Sequence, residues 1–161
     1  MIYKTSLDKL AKGVTIGITI VFAFVIIVLC SIIKETGTVI PICIIILQLL
    51  IYFTVFAYRP INYVVSADNI IIHRPVLDVK ISRDTIKSVE ILDKEKMYGV
   101  IRTFGVGGLF GYYGQFYNSK IGSMTWYATR QNNTVLVRTI DNKNIVLTPD
   151  EPEKFVANFD K

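Results

Sequence analysis

Two long runs without a charged residue constrain this chain more than any other feature of its sequence. Gly13–Ile33 is 21 residues long, Val39–Tyr58 is 20 residues long, and neither contains Asp, Glu, Lys or Arg. Because an α-helix rises about 1.5 Å per residue, about 20 apolar residues span a hydrocarbon core of roughly 30 Å. The two runs therefore predict two transmembrane helices, at residues 13–33 and 39–58.

The segment between the runs, Lys34–Thr38, is too short to cross a bilayer. We therefore expect an antiparallel helical hairpin with an external loop at residues 34–38. Positive residues beside the spans favour the cytoplasmic side. Lys34 is the one cation of the loop, whereas the other side carries the flanking cations Lys4, Lys9, Lys12 and Arg59. Both termini are therefore expected to be cytoplasmic, including an N-terminal segment at residues 1–12.

A cleaved signal peptide is the alternative interpretation of the first run. The apolar core of a signal peptide is about 7–15 residues long and precedes a small-x-small cleavage site. The run here is longer, and no Ala-x-Ala follows it. Leu29 precedes Cys30, where a lipoprotein site would place a small residue. These departures favour a retained transmembrane helix.

The composition excludes several classes of protein. Two cysteines and one histidine are too few for a disulfide-stapled fold or a structural zinc site. From Arg59 onward the chain has 14 basic and 11 acidic residues, and their signs alternate. Nucleic-acid-binding proteins instead cluster their basic residues on one face. We therefore expect no metal, no cofactor and no nucleic-acid partner.

The pattern changes to short β-strands after the second run. Ile61-Asn62-Tyr63-Val64-Val65-Ser66 alternates apolar and polar residues, as a half-buried strand does. Later apolar segments are separated by turn sequences such as Gln131-Asn132-Asn133. Near the end, Thr148 precedes Pro149 like a helix N-cap, and Pro152 allows a later start with Asp150 or Glu151 as cap. We predict an open barrel of about seven strands, closed by a C-terminal amphipathic helix that carries Phe155.

Several motifs in this region resemble a known family. They are Gly105-x-Gly107-Gly108-x-Phe110-Gly111-x-x-Gly114, then Tyr127-Ala128-Thr129-Arg130, then Thr148-Pro149-x-x-Pro152-Glu153-x-Phe155. With two spans before them, they resemble the membrane-anchored bacterial PH-domain proteins. The resemblance implies a cytoplasmic pleckstrin-homology-like domain at residues 61–161, a binding or scaffolding role, and a place in the bacterial cytoplasmic membrane.

The first strand pair departs from eukaryotic PH domains that bind phosphoinositides. Such domains carry several Lys or Arg residues in their first strand pair and in the loop that joins its strands. Here the loop is Ser66-Ala67-Asp68-Asn69, and only His73 and Arg74 follow. A phosphate group requires convergent cations, so the sequence argues against a phosphoinositide pocket at this place.

The glycine-rich stretch is the candidate contact surface. It superficially resembles a dinucleotide-binding fingerprint, but no helix and no suitably spaced acidic residue follow it. One interpretation is that the glycines only shape the barrel and the aromatic residues fill its core. The other is that the stretch contacts the membrane interface or a partner. The residues of this candidate surface are Leu109, Phe110, Tyr112 and Tyr113.

No catalytic constellation is recognisable. His73 has no Cys, Asp or Glu at the spacing of a metal site or a catalytic triad. We therefore expect a noncatalytic integral membrane protein that presents a PH-like module for protein–protein interaction or self-assembly. The alternative is a small subunit of an oligomeric transporter or of a membrane enzyme complex, for which Gln48 is the one candidate pore-lining residue.

Overall fold

The computed structural model describes residues 1–36, 38–93 and 95–159. Two long helices come early in the chain: α1, Lys9–Thr36, and α2, Val39–Ala57. Both are long and apolar enough to cross a membrane. Helix α1 begins four residues before the predicted span, because the side chain of Asp8 accepts a hydrogen bond of 2.7 Å from the backbone N–H of Ala11.

The two helices pack against each other in antiparallel fashion. Gln48 is 9% exposed and its Nε2 donates a hydrogen bond of 2.9 Å to the carbonyl of Phe22. One turn away, the hydroxyls of Thr19 and Tyr52 lie 2.8 Å apart. Gln48 therefore faces the partner helix, as its position in the middle of an apolar run predicts.

Ten strands and a short helix form the rest of the described chain. The strands form a four-stranded sheet of order β1-β2-β3-β4 and a six-stranded sheet of order β5-β9-β10-β8-β7-β6. Strand β10 is parallel to β8, and every other pairing is antiparallel. The elements are β1 (Ile2–Lys4), β2 (Asn62–Val65), β3 (Asn69–His73), β4 (Val79–Ser82), β5 (Ile86–Ile91), β6 (Ile101–Gly108), β7 (Gly111–Asn118), β8 (Gly122–Ala128), β9 (Val135–Thr139), β10 (Asn144–Leu147) and α3 (Pro152–Val156).

The predicted strand count is too low, and one strand lies where none was expected. Described residues after α2 contain nine strands, and these belong to two separate sheets and not to the single open barrel that was predicted. Strand β1 comes from the segment before α1 and pairs with β2, with Tyr3 opposite Tyr63. Tyr3 is 7% exposed, and its ring packs edge-on against Phe155 at 5.1 Å between centroids. The N-terminal segment is therefore part of the domain.

The centre of the six-stranded sheet is buried on both faces. Strand β9 shows this directly, because Val135 and Val137 join the core between the two sheets while Leu136 points to the other side. On that other side Phe116 and Trp126 stack at 4.5 Å between centroids. This second core is covered by residues before β6 and by the start of α1.

Helix α3 begins later than the first predicted cap. Glu151 occupies its N-cap position and Pro152 its first turn, and Phe155 is fully buried. Thr148 does not cap it. Instead, the Thr148 hydroxyl is buried and accepts a hydrogen bond of 2.9 Å from the backbone N–H of Thr129. The sequence pattern changes from strand to helix near Thr148, but Thr148 itself is a buried residue of the domain core.

Candidate functional site

The glycine-rich stretch forms the hairpin of β6 and β7, with Leu109 and Phe110 as its turn. Gly105 faces Gly114 across the hairpin, and a Cβ on Gly105 would lie 2.4 Å from the carbonyl oxygen of Tyr113. Gly105 also has φ of 107°, which side chains rarely adopt. Both facts explain why glycine occupies this position: the two strands approach too closely for any side chain.

The turn of this hairpin docks onto the two apolar helices. The backbone N–H of Phe110 donates a hydrogen bond of 2.9 Å to the hydroxyl of Thr15 in α1. The Phe110 ring lies edge-on against Tyr52 and Phe56 of α2, at 5.3 and 5.5 Å between centroids. Phe110 is 8% exposed although its φ is 58°, a left-handed conformation that is unfavourable for an aromatic residue. The contacts with the helices compensate this backbone strain.

Tyr112 and Tyr113 are neighbours in β7, and their hydroxyls bond to two different parts of the helical region. The Tyr113 hydroxyl donates to the carbonyl of Val55 in the last turns of α2. The Tyr112 hydroxyl donates to Asp8, just before α1, at 3.3 Å. Burial, helped by the negative charge of Asp8, raises the pKa of Tyr112 to about 12. Burial also raises the pKa of Tyr113, against the opposing effect of the Arg59 charge.

The candidate contact residues are thus brought together in one hairpin, and two of them, Phe110 and Tyr113, contact this chain's own helices. Phe110, Tyr112 and Tyr113 are buried, and Leu109 is half-buried. Of the flanking cations, Arg59 takes part in the same cluster, since its guanidinium lies 4.3 Å from the Phe56 ring centroid. The other three flanking cations are exposed: Lys4, Lys9 and Lys12.

A cavity of about 460 Å³ lies beside this docked hairpin. One wall is the end of α2, and the other is the face of the β6-β7-β8 sheet that carries Tyr113 and Tyr127. The wall residues are mainly apolar or aromatic, and Arg74 is the one cation among them. The lining comprises Thr54, Val55, Tyr58, Arg74, Phe104, Gly105, Val106, Tyr113, Gly114, Gln115, Thr125 and Tyr127.

Arg74 is held in this cavity by aromatic rings. Its guanidinium carbon lies 5.2 Å from the ring centroid of Tyr58 and 5.8 Å from that of Tyr127. Its Nε donates to the carbonyl of Leu77. Within the described part of the chain, no carboxylate forms an ion pair with Arg74. Its positive charge nevertheless helps to lower the pKa of Asp78.

Sequence reasoning missed the partner of His73. The Nδ1 of His73 lies 2.8 Å from Oδ2 of Asp78, across the turn between β3 and β4. The backbone N–H of Arg74 donates to the other oxygen of Asp78 at 3.1 Å and, as the main cause, lowers the pKa of that carboxyl. Asp78 is five residues after His73, and Asp is one of the residues that dominate turns, which is the one signal that the sequence offers for this contact. These contacts order the segment that carries Arg74.

No metal-ligand cluster is formed by three or more His, Cys, Asp or Glu side chains of the described residues. Cys30 and Cys43 are both exposed and unbridged on the two apolar helices.

Comparison with protein families gives one match. Residues 61–161 match the family model described as "Bacterial PH domain". No curated protein and no solved structure gives a significant match. The matched region begins directly after α2 and contains strands β2–β10 and α3, whereas β1 and both long helices lie outside it.

Proposed function

This chain belongs to the bacterial PH-domain family, and we propose that it is a noncatalytic membrane protein that holds its PH-like domain at the cytoplasmic face and offers an edge strand to a polypeptide partner. PH domains are generally binding modules. Partner binding through main-chain hydrogen bonds at a sheet edge is a general mode of recognition. The observation that carries the proposal is the exposed edge formed by β6.

Membrane anchoring in a hairpin topology is supported by the pairing of β1 with β2. These strands come immediately before α1 and soon after α2, and they belong to one sheet. Two segments that share a sheet lie on the same side of a membrane. If both helices span, the residues before α1 and the domain after α2 therefore lie on one side, and the flanking cations favour the cytoplasm as that side. A bacterial cytoplasmic membrane is the location proposed.

Strand β6 has the properties of an interaction edge. It is eight residues long and terminates the six-stranded sheet, so that its outer backbone groups have no strand partner within the described chain. Its side chains Ile101 and Phe104 are 58% and 77% exposed. Proteins that remain monomeric usually protect such an edge with charge, proline or a short strand. The exposure of this edge favours strand pairing with another copy of the chain or with a different protein.

The contacts of Gln48 give the transporter alternative no support. Gln48 was the candidate pore-lining group, and its amide instead bonds to the Phe22 carbonyl inside the hairpin. A side chain that joins two helices is not free to line a pore. We therefore propose no second function.

The test is photo-crosslinking from the edge strand in native membranes. A photoreactive amino acid at Thr103, in the middle of β6, should give an adduct of defined mass: twice the mass of the chain for self-assembly, another mass for a partner protein. Ile101→Lys combined with Phe104→Lys should abolish the adduct by placing charge on the edge. Ile140→Lys is the control, because Ile140 is 63% exposed and lies outside β6. An adduct that survives the edge variant, or no adduct at all, contradicts the proposal.

A further inference from the structure

The cavity between α2 and the β6-β7-β8 sheet lies where the proposed membrane span ends. Thr54, Val55 and Tyr58 belong to the last turn of α2 and the residue after it. Phe53, which precedes Thr54, is 64% exposed among the described residues. The cavity therefore adjoins the surface that the anchored protein presents to lipid. Its volume of about 460 Å³ is within the range of sites that hold small molecules, roughly 300–1,000 Å³.

The lining of the cavity matches an amphiphile. Val55, Val106 and Phe104 provide an apolar wall, and Tyr113 is buried at its back. At the other end lies the Arg74 guanidinium, which forms no ion pair within the described residues, although the Asp78 carboxylate is near enough to interact with its charge. Guanidinium groups bind phosphate in a bidentate, charge-assisted manner. An apolar wall and one unpaired cation suit a molecule with a hydrocarbon chain and a single anionic group.

The ring of Tyr127 adds a second polar group near that cation. Tyr127 is half-buried, and its hydroxyl has no hydrogen-bond partner within the described residues. Burial raises the pKa of Tyr127, against the opposing charge of Arg74, so the hydroxyl keeps its proton and donates. An anion beside Arg74 therefore meets donors from two side chains. Interfacial aromatic residues such as Tyr58 also suit the headgroup layer of a membrane.

We propose that this cavity binds one anionic phospholipid of the surrounding bilayer, with its phosphate on Arg74 and part of an acyl chain between α2 and the sheet. The lipid reaches the cavity sideways from the leaflet and does not leave the membrane. Arg74 is also one of the two cations that follow the loop between β2 and β3, where the sequence argues against a phosphoinositide. A phosphoinositide headgroup carries several phosphates and requires several cations, whereas a lipid with a single phosphate can bind to one guanidinium. The inference rests on the proposed membrane anchoring, and the cavity shares Phe104 with the proposed interaction edge of β6.

The experiment uses the full chain reconstituted in phosphatidylcholine vesicles that contain phosphatidylglycerol with a photoreactive acyl chain. Labelled residues are mapped by mass spectrometry. We expect labelling at Phe53 from bulk lipid and additional labelling at Val55 or Val106 from the bound lipid. Arg74→Gln should reduce cavity labelling about tenfold, as expected for the loss of a charge-assisted hydrogen bond, and leave Phe53 labelled. Lys12→Gln, which removes an exposed flanking cation outside the cavity, should change neither.

Further arms separate the possible outcomes. Val106→Phe fills the cavity without touching Arg74 and should also abolish labelling inside it, which keeps the inference testable if Arg74→Gln is misfolded. A photoreactive phosphatidylcholine should label the cavity at least several-fold less. Inorganic phosphate should not compete; if it does, the site recognises free phosphate and the lipid inference is wrong.

Absence of labelling at Phe53 would contradict membrane anchoring, whereas labelling at Phe53 without cavity labelling would overturn the lipid site alone. Crosslinks from Val106 to a second copy would assign the cavity to self-association and overturn it as well.

Discussion

The backbone N–H of Phe110 and the hydroxyl of Thr15 are 2.9 Å apart, and their hydrogen bond joins the turn of a β-hairpin to an apolar helix 95 residues earlier in the chain. The Phe110 ring fills the space between the other helix and Arg59. Domain and helical hairpin are therefore connected by packing as well as by the chain. Arg59 and Pro60 alone separate Tyr58 from the matched family region.

Replacement of Phe110 with Ala should destabilise this docked arrangement. Phe110 is 8% exposed and contacts two aromatic rings, and truncation of such a buried ring usually costs about 3–5 kcal/mol. Denaturant unfolding of the full chain in detergent micelles measures the loss. Phe104→Ala is the matched control: Phe104 is 77% exposed, and its truncation should cost less than about 0.5 kcal/mol. Equal effects of the two variants would contradict the docking.

Residues 61–161 should be less stable alone than together with the N-terminal strand. We expect a synthetic peptide of residues 1–8 to raise the melting temperature of the 61–161 fragment, because β1 completes the four-stranded sheet and Tyr3 joins its core. A peptide with Tyr3→Ala should have lost most of the effect, whereas Ile2→Ala should retain it, since Ile2 is 72% exposed. No stabilisation by the unmodified peptide would show that the fragment does not need β1.

Alkaline pH should weaken the contact between the hairpin and the start of α1. The pKa of Tyr112 is about 12 in the folded protein and near 10.0 when unperturbed. As the pH rises above 10, the unfolded chain releases this proton first, so the free energy of unfolding falls between pH 10 and pH 12. Below pH 10 this group contributes no pH dependence. Tyr112→Phe should reduce the slope of stability against pH in that window. Tyr98→Phe, which removes an 84% exposed hydroxyl, is the control and should leave the slope unchanged.

The proposed topology makes a separate prediction for accessibility. In a chain whose native Cys30 and Cys43 are replaced, a cysteine at Thr36 should react with a membrane-impermeant reagent in intact cells. A cysteine at Asn142, in the exposed turn between β9 and β10, should react only after the cells are opened. The reverse pattern would place the domain outside and contradict the orientation derived from the flanking cations.

The sequence predicts the helices and most strands because their signals are local. An uncharged run of about 20 residues has few alternatives to a helix that crosses or is buried, and alternation marks strands such as β2 and β9. Strand β1 could not be predicted in this way, because a strand of three residues is too short to show an alternating pattern. Its pairing with β2 depends on the helical hairpin that brings the two strands together.

The candidate site was located by its residues but not by its geometry. Glycines between aromatic residues mark Leu109–Tyr113 as unusual, yet they do not reveal that Phe110 packs on Tyr52 and Phe56. Such contacts join distant parts of the chain and leave no periodic signal. The cavity at Arg74 was missed for the same reason, because Val55, Val106 and Tyr127 converge on it from three separate elements.

The pairing of Ile2 with Val64 makes the whole helical hairpin a loop inserted between two neighbouring strands of one sheet. A ribosome that makes this chain from its N-terminus has released β1 long before β2 exists. The first strand must then wait, unpaired, while both apolar helices are synthesised and return to the same side. If both helices span a membrane, β1 and β2 can pair only after the second helix has brought the chain back to the side of the first strand. Completion of the four-stranded sheet would then be the last step, after insertion of both helices.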